Sequence, residues 1–123
     1  VWRSALSGEF ETDDDGTTLL RLTAPLVWVD PDGTVQTVEK GSITDGASIP
    51  RWAESLIGGR YDGPWVRAAA MHDDGVQRRT EPWPVVHRRF YNGMRADGVS
   101  WLTAQVMFRA VWWFGDRWEV TDA

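Results

Sequence analysis

Apolar positions come in short runs broken by turn residues early in the chain and in longer stretches with helical spacing later. Leu19-Leu20-Arg21-Leu22 is a short, mostly apolar run that predicts a strand. Leu26-Val27-Trp28-Val29, then Asp30-Pro31-Asp32-Gly33, then Thr34-Val35-Gln36-Thr37-Val38 predicts a hairpin, with proline and glycine supplying the reversal. The run Asp13-Asp14-Asp15-Gly16 lacks the alternating ligands and closing Glu of a calcium loop, and reads as a solvated turn.

From residue 50 onward the spacing turns helical. A short helix is expected over 50–57, capped by Ser48 and stopped at Gly58-Gly59. Three longer helices are expected over about 64–78, 82–96 and 100–114, separated by Thr80-Glu81 and Asp97-Gly98. The third is apolar almost all round, which calls for deep burial or a partner. Strands followed by segregated helices argue an α+β fold, a small antiparallel sheet packed against a three-helix half. One domain is expected over 1–123, with 1–43 rich in β-structure and 44–123 mainly helical.

Composition removes several functions. With 13 basic against 18 acidic residues and a net charge of −5, a nucleic acid would be repelled on average. The basic residues Arg78, Arg79, Arg88 and Arg89 read as solvated helix faces. Zero cysteines exclude disulfides, thiolate metal sites and a cysteine nucleophile. No apolar run approaches the ~20 residues of a bilayer span, and nothing near Val1 has a signal-peptide layout. Nine tryptophans are a large excess, since each indole is costly to leave in water. The cluster Trp112, Trp113, Phe114 and Trp118 points to a contact surface for a protein partner or a second copy of the chain.

Two segments carry the candidate chemistry: Thr44-Asp45-Gly46-Ala47-Ser48-Ile49-Pro50-Arg51, and Ala68-Ala69-Ala70-Met71-His72-Asp73. Together they resemble the signatures of the phage-associated "domain of unknown function 1353" family, and the likeness extends over about residues 27–115. The resemblance implies a phage or prophage origin and places the protein in a virion or in the cytoplasm of a bacterial host; it implies no activity. In physical terms, Asp45 and Ser48 can accept from free N–H groups at a helix start, Gly46 permits a tight turn, and Pro50 suits the first helical turn. The alternative is that Asp45 and loop carbonyls bind a cation.

His72 and His87, the two histidines of the chain, lie eight residues before and seven after the turn near Thr80, so antiparallel helices bring them to similar height. The pair also resembles the His-Asp helix core of secreted-type phospholipases A2, which implies His72 as general base and Asp73 as cation ligand. The chain departs from that pattern: His87 stands near the place of the facing aspartate, Val76 replaces a tyrosine, and disulfides and a glycine-rich calcium loop are missing. A second chemical reading takes His72, Asp73 and His87, with Asp45, as ligands of a divalent cation, zinc or calcium. The structural alternative is a histidine hydrogen-bonded between helices and an Asp73 paired with an arginine such as Arg51. The two functions to weigh are thus a non-enzymatic phage component that binds a protein, and a metal-assisted hydrolase of an ester or cell-envelope polymer using His72.

Overall fold

The computed structural model describes residues 1–44 and 64–120. Among them, five strands precede three helices: β1 (Gly8–Thr12), β2 (Thr18–Leu22), β3 (Leu26–Val29), β4 (Val35–Val38), β5 (Ile43–Thr44), α1 (Val66–Arg78), α2 (Trp83–Ala96) and α3 (Trp101–Phe114). The fold is α+β, as the hydrophobic pattern predicts. The expected helix over 50–57, with Asp45, Ser48, Pro50 and Arg51, lies outside the described residues.

The strands form two antiparallel sheets in place of one, ordered β1-β2-β5 and β3-β4. In the second, Leu26 faces Val38 and Val29 faces Val35, the register that a turn at residues 30–34 dictates. Gly33 adopts φ 90° there, and the Asp32 carboxylate accepts from the Thr34 N–H. The sequence pattern does not disclose β1, because every residue of Gly8–Thr12 is exposed and no apolar alternation marks it. Pairing with β2, from Gly8 opposite Leu22 to Thr12 opposite Thr18, holds it in place. The acidic turn between them is solvated, with Asp13 Oδ1 accepting from the N–H groups of Asp15 and Thr17.

Inward positions of the strands (Leu22, Leu26, Trp28, Val38) meet Ala70 and Met71 of α1. The opposite side of α1 packs into a second apolar cluster with Phe90, Met94, Val99, Ala104, Met107 and Val111 of the other helices and the turn between them. Trp2 joins the two clusters: it stacks edge-on against Trp28 at 4.9 Å, and its indole N–H donates to the Gly93 carbonyl. Ser100 caps α3 by accepting from the Thr103 N–H.

Candidate functional site

Two glycines fix how closely α1 and α2 approach. A Cβ on Gly75 would stand 2.7 Å from Val86 Cγ1, and one on Gly93 would stand 3.1 Å from both Ala68 Cβ and Met71 Cε. Because Gly75 meets Val86 while Gly93 meets Ala68, the helices run antiparallel, and His72 and His87 face each other between the two contacts. Their rings lie 5.0 Å apart between centroids, with His72 Nε2 2.8 Å from His87 Nδ1.

The hydrogen bonds assign the protons. His87 Nε2 lies 3.0 Å from the Asp116 carbonyl oxygen, which only accepts, so Nε2 carries the hydrogen and Nδ1 a lone pair. His72 Nε2–H then donates to that lone pair. His72 Nδ1 remains a bare acceptor, buried and without a hydrogen-bond partner among the described residues. Burial, and after it the neighbouring His87, pulls the His72 pKa down to about 3. Burial also lowers His87; the Asp116 carbonyl opposes this and Arg117 adds to it. Both rings are neutral at neutral pH, with His72 2% and His87 0% exposed.

Aromatic rings and the segment following α3 close over the pair. Phe90 lies 4.7 Å from His72, and Trp83 and Trp118 lie 5.6 and 6.1 Å from His87. Trp118 is held by an indole N–H donated to the Glu81 carbonyl and by Arg79 over its ring. Arg117 lies over Trp83 and donates to the Trp112 carbonyl. A general base needs a lone pair within reach of its substrate and a pKa near the working pH. His72 in this arrangement has a depressed pKa and a remaining lone pair inside the protein.

Asp73 does not join the histidines. One position along the helix turns its side chain about 100° away, toward β5, where the Thr44 hydroxyl donates to its carboxylate. Among the described residues no three His, Asp or Glu side chains form a group able to hold a metal ion. Asp45, the fourth ligand expected, and Arg51, the partner expected for Asp73, lie outside the described residues.

The expectation that Arg89 lies on a solvated face is overturned, whereas Arg78, Arg79 and Arg88 are exposed. Arg89 is 2% exposed and sits at the centre of a polar network. Its Nε and one terminal nitrogen grip Asp30 (3.0 and 2.5 Å), both terminal nitrogens grip Glu81 (2.6 and 2.9 Å), and Gln36 Oε1 takes the remaining donor at 2.9 Å. All five guanidinium donors are thereby satisfied. Burial alone would lower its pKa, but the bonds to Glu81 and Asp30 outweigh burial and raise it. Gln36 also donates to Asp74 and to the Met71 carbonyl, tying β4 to α1. The legible signal was Arg89 standing beside Val86, Phe90 and Gly93 on the inward row of α2, and Gln36 sharing the inward face of β4 with Val38.

The four aromatic residues expected at a contact surface divide. Trp112 is half-buried against Trp83 and Phe108, and Trp118 covers His87. Trp113 and Phe114 are 67% and 80% exposed, and the same helix exposes Trp101 and Leu102 at 60% and 67%. Leu102, Val106, Arg109 and Trp113 follow i, i+4, i+7, i+11 spacing and form one continuous outer row.

Comparison with known proteins finds a match over residues 20–111 to the family described as "Protein of unknown function (DUF1353)". The chain is 36% identical over 118 residues to an uncharacterized protein, y4jT, of Sinorhizobium fredii (strain NBRC 101917 / NGR234), covering 96% of this chain and 35% of that protein. It is 37% identical over 97 residues to a second from the same organism, y4iH, covering 79% of this chain and 41% of the relative. The chain thus spans well under half of either curated relative. No solved structure matches it.

Proposed function

The chain belongs to the DUF1353 family, and on that footing we propose that it is a phage- or prophage-derived binding module, a virion component or accessory factor without chemistry of its own. It docks a protein partner through the outer face of α3. The observation that carries this reading is the exposure of Trp101, Leu102, Trp113 and Phe114 on one helix, when most other large apolar side chains among the described residues are buried or half-buried. Aromatic side chains left in water on one element are the anchors from which interfaces gain most of their energy.

The meeting of His72 with His87 supports a second reading, a metal-assisted hydrolase with His72 as base. The burial of both rings and the depressed His72 pKa weigh against it. Substituting Trp113→Asp separates the two readings. Docking predicts lost association, measured by size-exclusion chromatography with light scattering and by recovery of partners from a lysate of phage-producing host cells, with the melting temperature unchanged. A hydrolase predicts instead an activity abolished by His72→Gln and by chelators but indifferent to Trp113→Asp, and that outcome would remove the docking reading.

A further inference from the structure

The chain nets −5, yet neither α2 nor α3 contains an aspartate or glutamate. A shallow groove beside α3 is lined by Arg88, Gln105, Phe108, Arg109, Trp112 and Trp113. Among the described residues Arg21, Arg67, Arg78, Arg79 and Arg89 each pair with a carboxylate, while Arg95 and Arg117 donate to backbone carbonyls. Arg88 and Arg109 have no ion-pair partner among the described residues, and the Arg88 guanidinium lies 5.7 Å from the centre of the Trp112 ring. The groove therefore presents positive charge and aromatic surface together, with its counter-charge to come from outside.

We propose that the occupant of this groove is an acidic protein segment carrying an apolar anchor. Its carboxylates pair with Arg88 and Arg109, and the anchor lies on Phe108, Trp112 and Trp113. This rests on the reading of the α3 face as a docking surface and names its partner's chemistry. Guanidinium groups favour carboxylates because two parallel N–H donors match two oxygens. At physiological salt, charges more than about 8 Å apart are largely screened, so a segment with a few carboxylates responds to the groove and little to the net charge. A nucleic acid or an anionic bilayer extends far beyond the groove and meets the acidic remainder of the surface.

The test is selection of a displayed random dodecapeptide library on the intact chain and on Trp113→Asp, with thermal melting confirming that each is folded. The expected binders carry at least two acidic residues beside an aromatic or aliphatic one and are not recovered on Trp113→Asp. The best of them, as a synthetic peptide, should lose about tenfold or more in affinity on Arg88→Glu/Arg109→Glu, and should weaken as salt is raised. Should charge reversal unfold the chain, Arg88→Gln/Arg109→Gln gives the same direction with a smaller loss. Binders that need Trp113 but lack acidic residues overturn the acidic partner and leave the docking face standing. Equal recovery on both chains, or none, overturns both. Binding of phosphatidylglycerol vesicles, read as a tryptophan fluorescence shift, with no peptide enriched, replaces the protein segment with a lipid surface and also overturns the proposal.

Discussion

Replacing Arg89 with methionine should remove a large part of the stability margin, although a charged residue at that position suggests a surface role. The side chain is 1% exposed and holds Asp30, Glu81 and Gln36 with all its donors. Methionine fills much of the space but leaves two carboxylates, 14% and 31% exposed, facing each other without a counter-charge. Breaking a buried ion pair by removing one partner costs about 3–5 kcal/mol, set against a total of about 5–15 kcal/mol for a domain. Asp30 keeps one further donor, the Trp28 indole at 2.6 Å, which places the expected loss near 3 kcal/mol, toward the lower end. Arg89→Lys should fall between, because an ammonium cannot span both carboxylates as the guanidinium does. Adding Asp30→Asn to Arg89→Met should recover part of the loss, since an amide costs less to bury than a lone carboxylate. Urea denaturation followed by tryptophan fluorescence and far-ultraviolet circular dichroism gives the values. A loss below about 1 kcal/mol for Arg89→Met would refute the reasoning, because that is the level of an exposed pair.

Gly75→Ala should destabilise the chain by about 1–3 kcal/mol despite alanine's better helix propensity, because the new methyl meets Val86 Cγ1 at 2.7 Å; in a Val86→Ala background the same change should become neutral or stabilising. His72 should make stability pH-dependent. Its folded pKa of about 3 lies below the ~6.5 of an unfolded histidine, so its contribution is complete above about pH 6.5 and is lost as pH falls toward about 3. Denaturation midpoints at several pH values check this against His72→Gln, which should show a shallower slope because only the lowered His87 remains; identical profiles contradict it. Trp118→Ala should expose His87 to diethyl pyrocarbonate, with mass spectrometry showing modification of the variant and protection of the parent chain, since Trp118 covers that ring.

The longer helices and the hairpin were legible because each satisfies a local rule. The 3.6-residue spacing runs unbroken through α1, α2 and α3, and the turn at residues 30–33 carries its own proline, aspartates and glycine. The approach of His72 to His87 was legible for the same reason, since two antiparallel helices and a short turn determine height along the axis. The rotation that sends Asp73 to Thr44 and His72 to His87 required tertiary contacts, chiefly the close approach at Gly75 and Gly93. β1 was hidden because an exposed edge strand buries nothing that could write a pattern. Arg89 was misjudged because charge suggests solvent, whereas its partners Asp30, Gln36 and Glu81 come from three separate segments that only the fold assembles. The aromatic cluster near the end of α3 reads as one surface, yet helical rotation leaves Trp112 half-buried against Trp83 and Phe108 and turns Trp113 outward.

The docking claim meets its most direct test in photocrosslinking from inside the producing cell. A benzophenone side chain placed at Trp113 on the outer face of α3 is compared with one at Val35, which is 55% exposed on β4 away from that face. Docking through α3 predicts a discrete protein adduct from position 113, absent from position 35 and lost when Phe114 is changed to aspartate. Equal or no crosslinking from the two positions, with both variants folded, contradicts it.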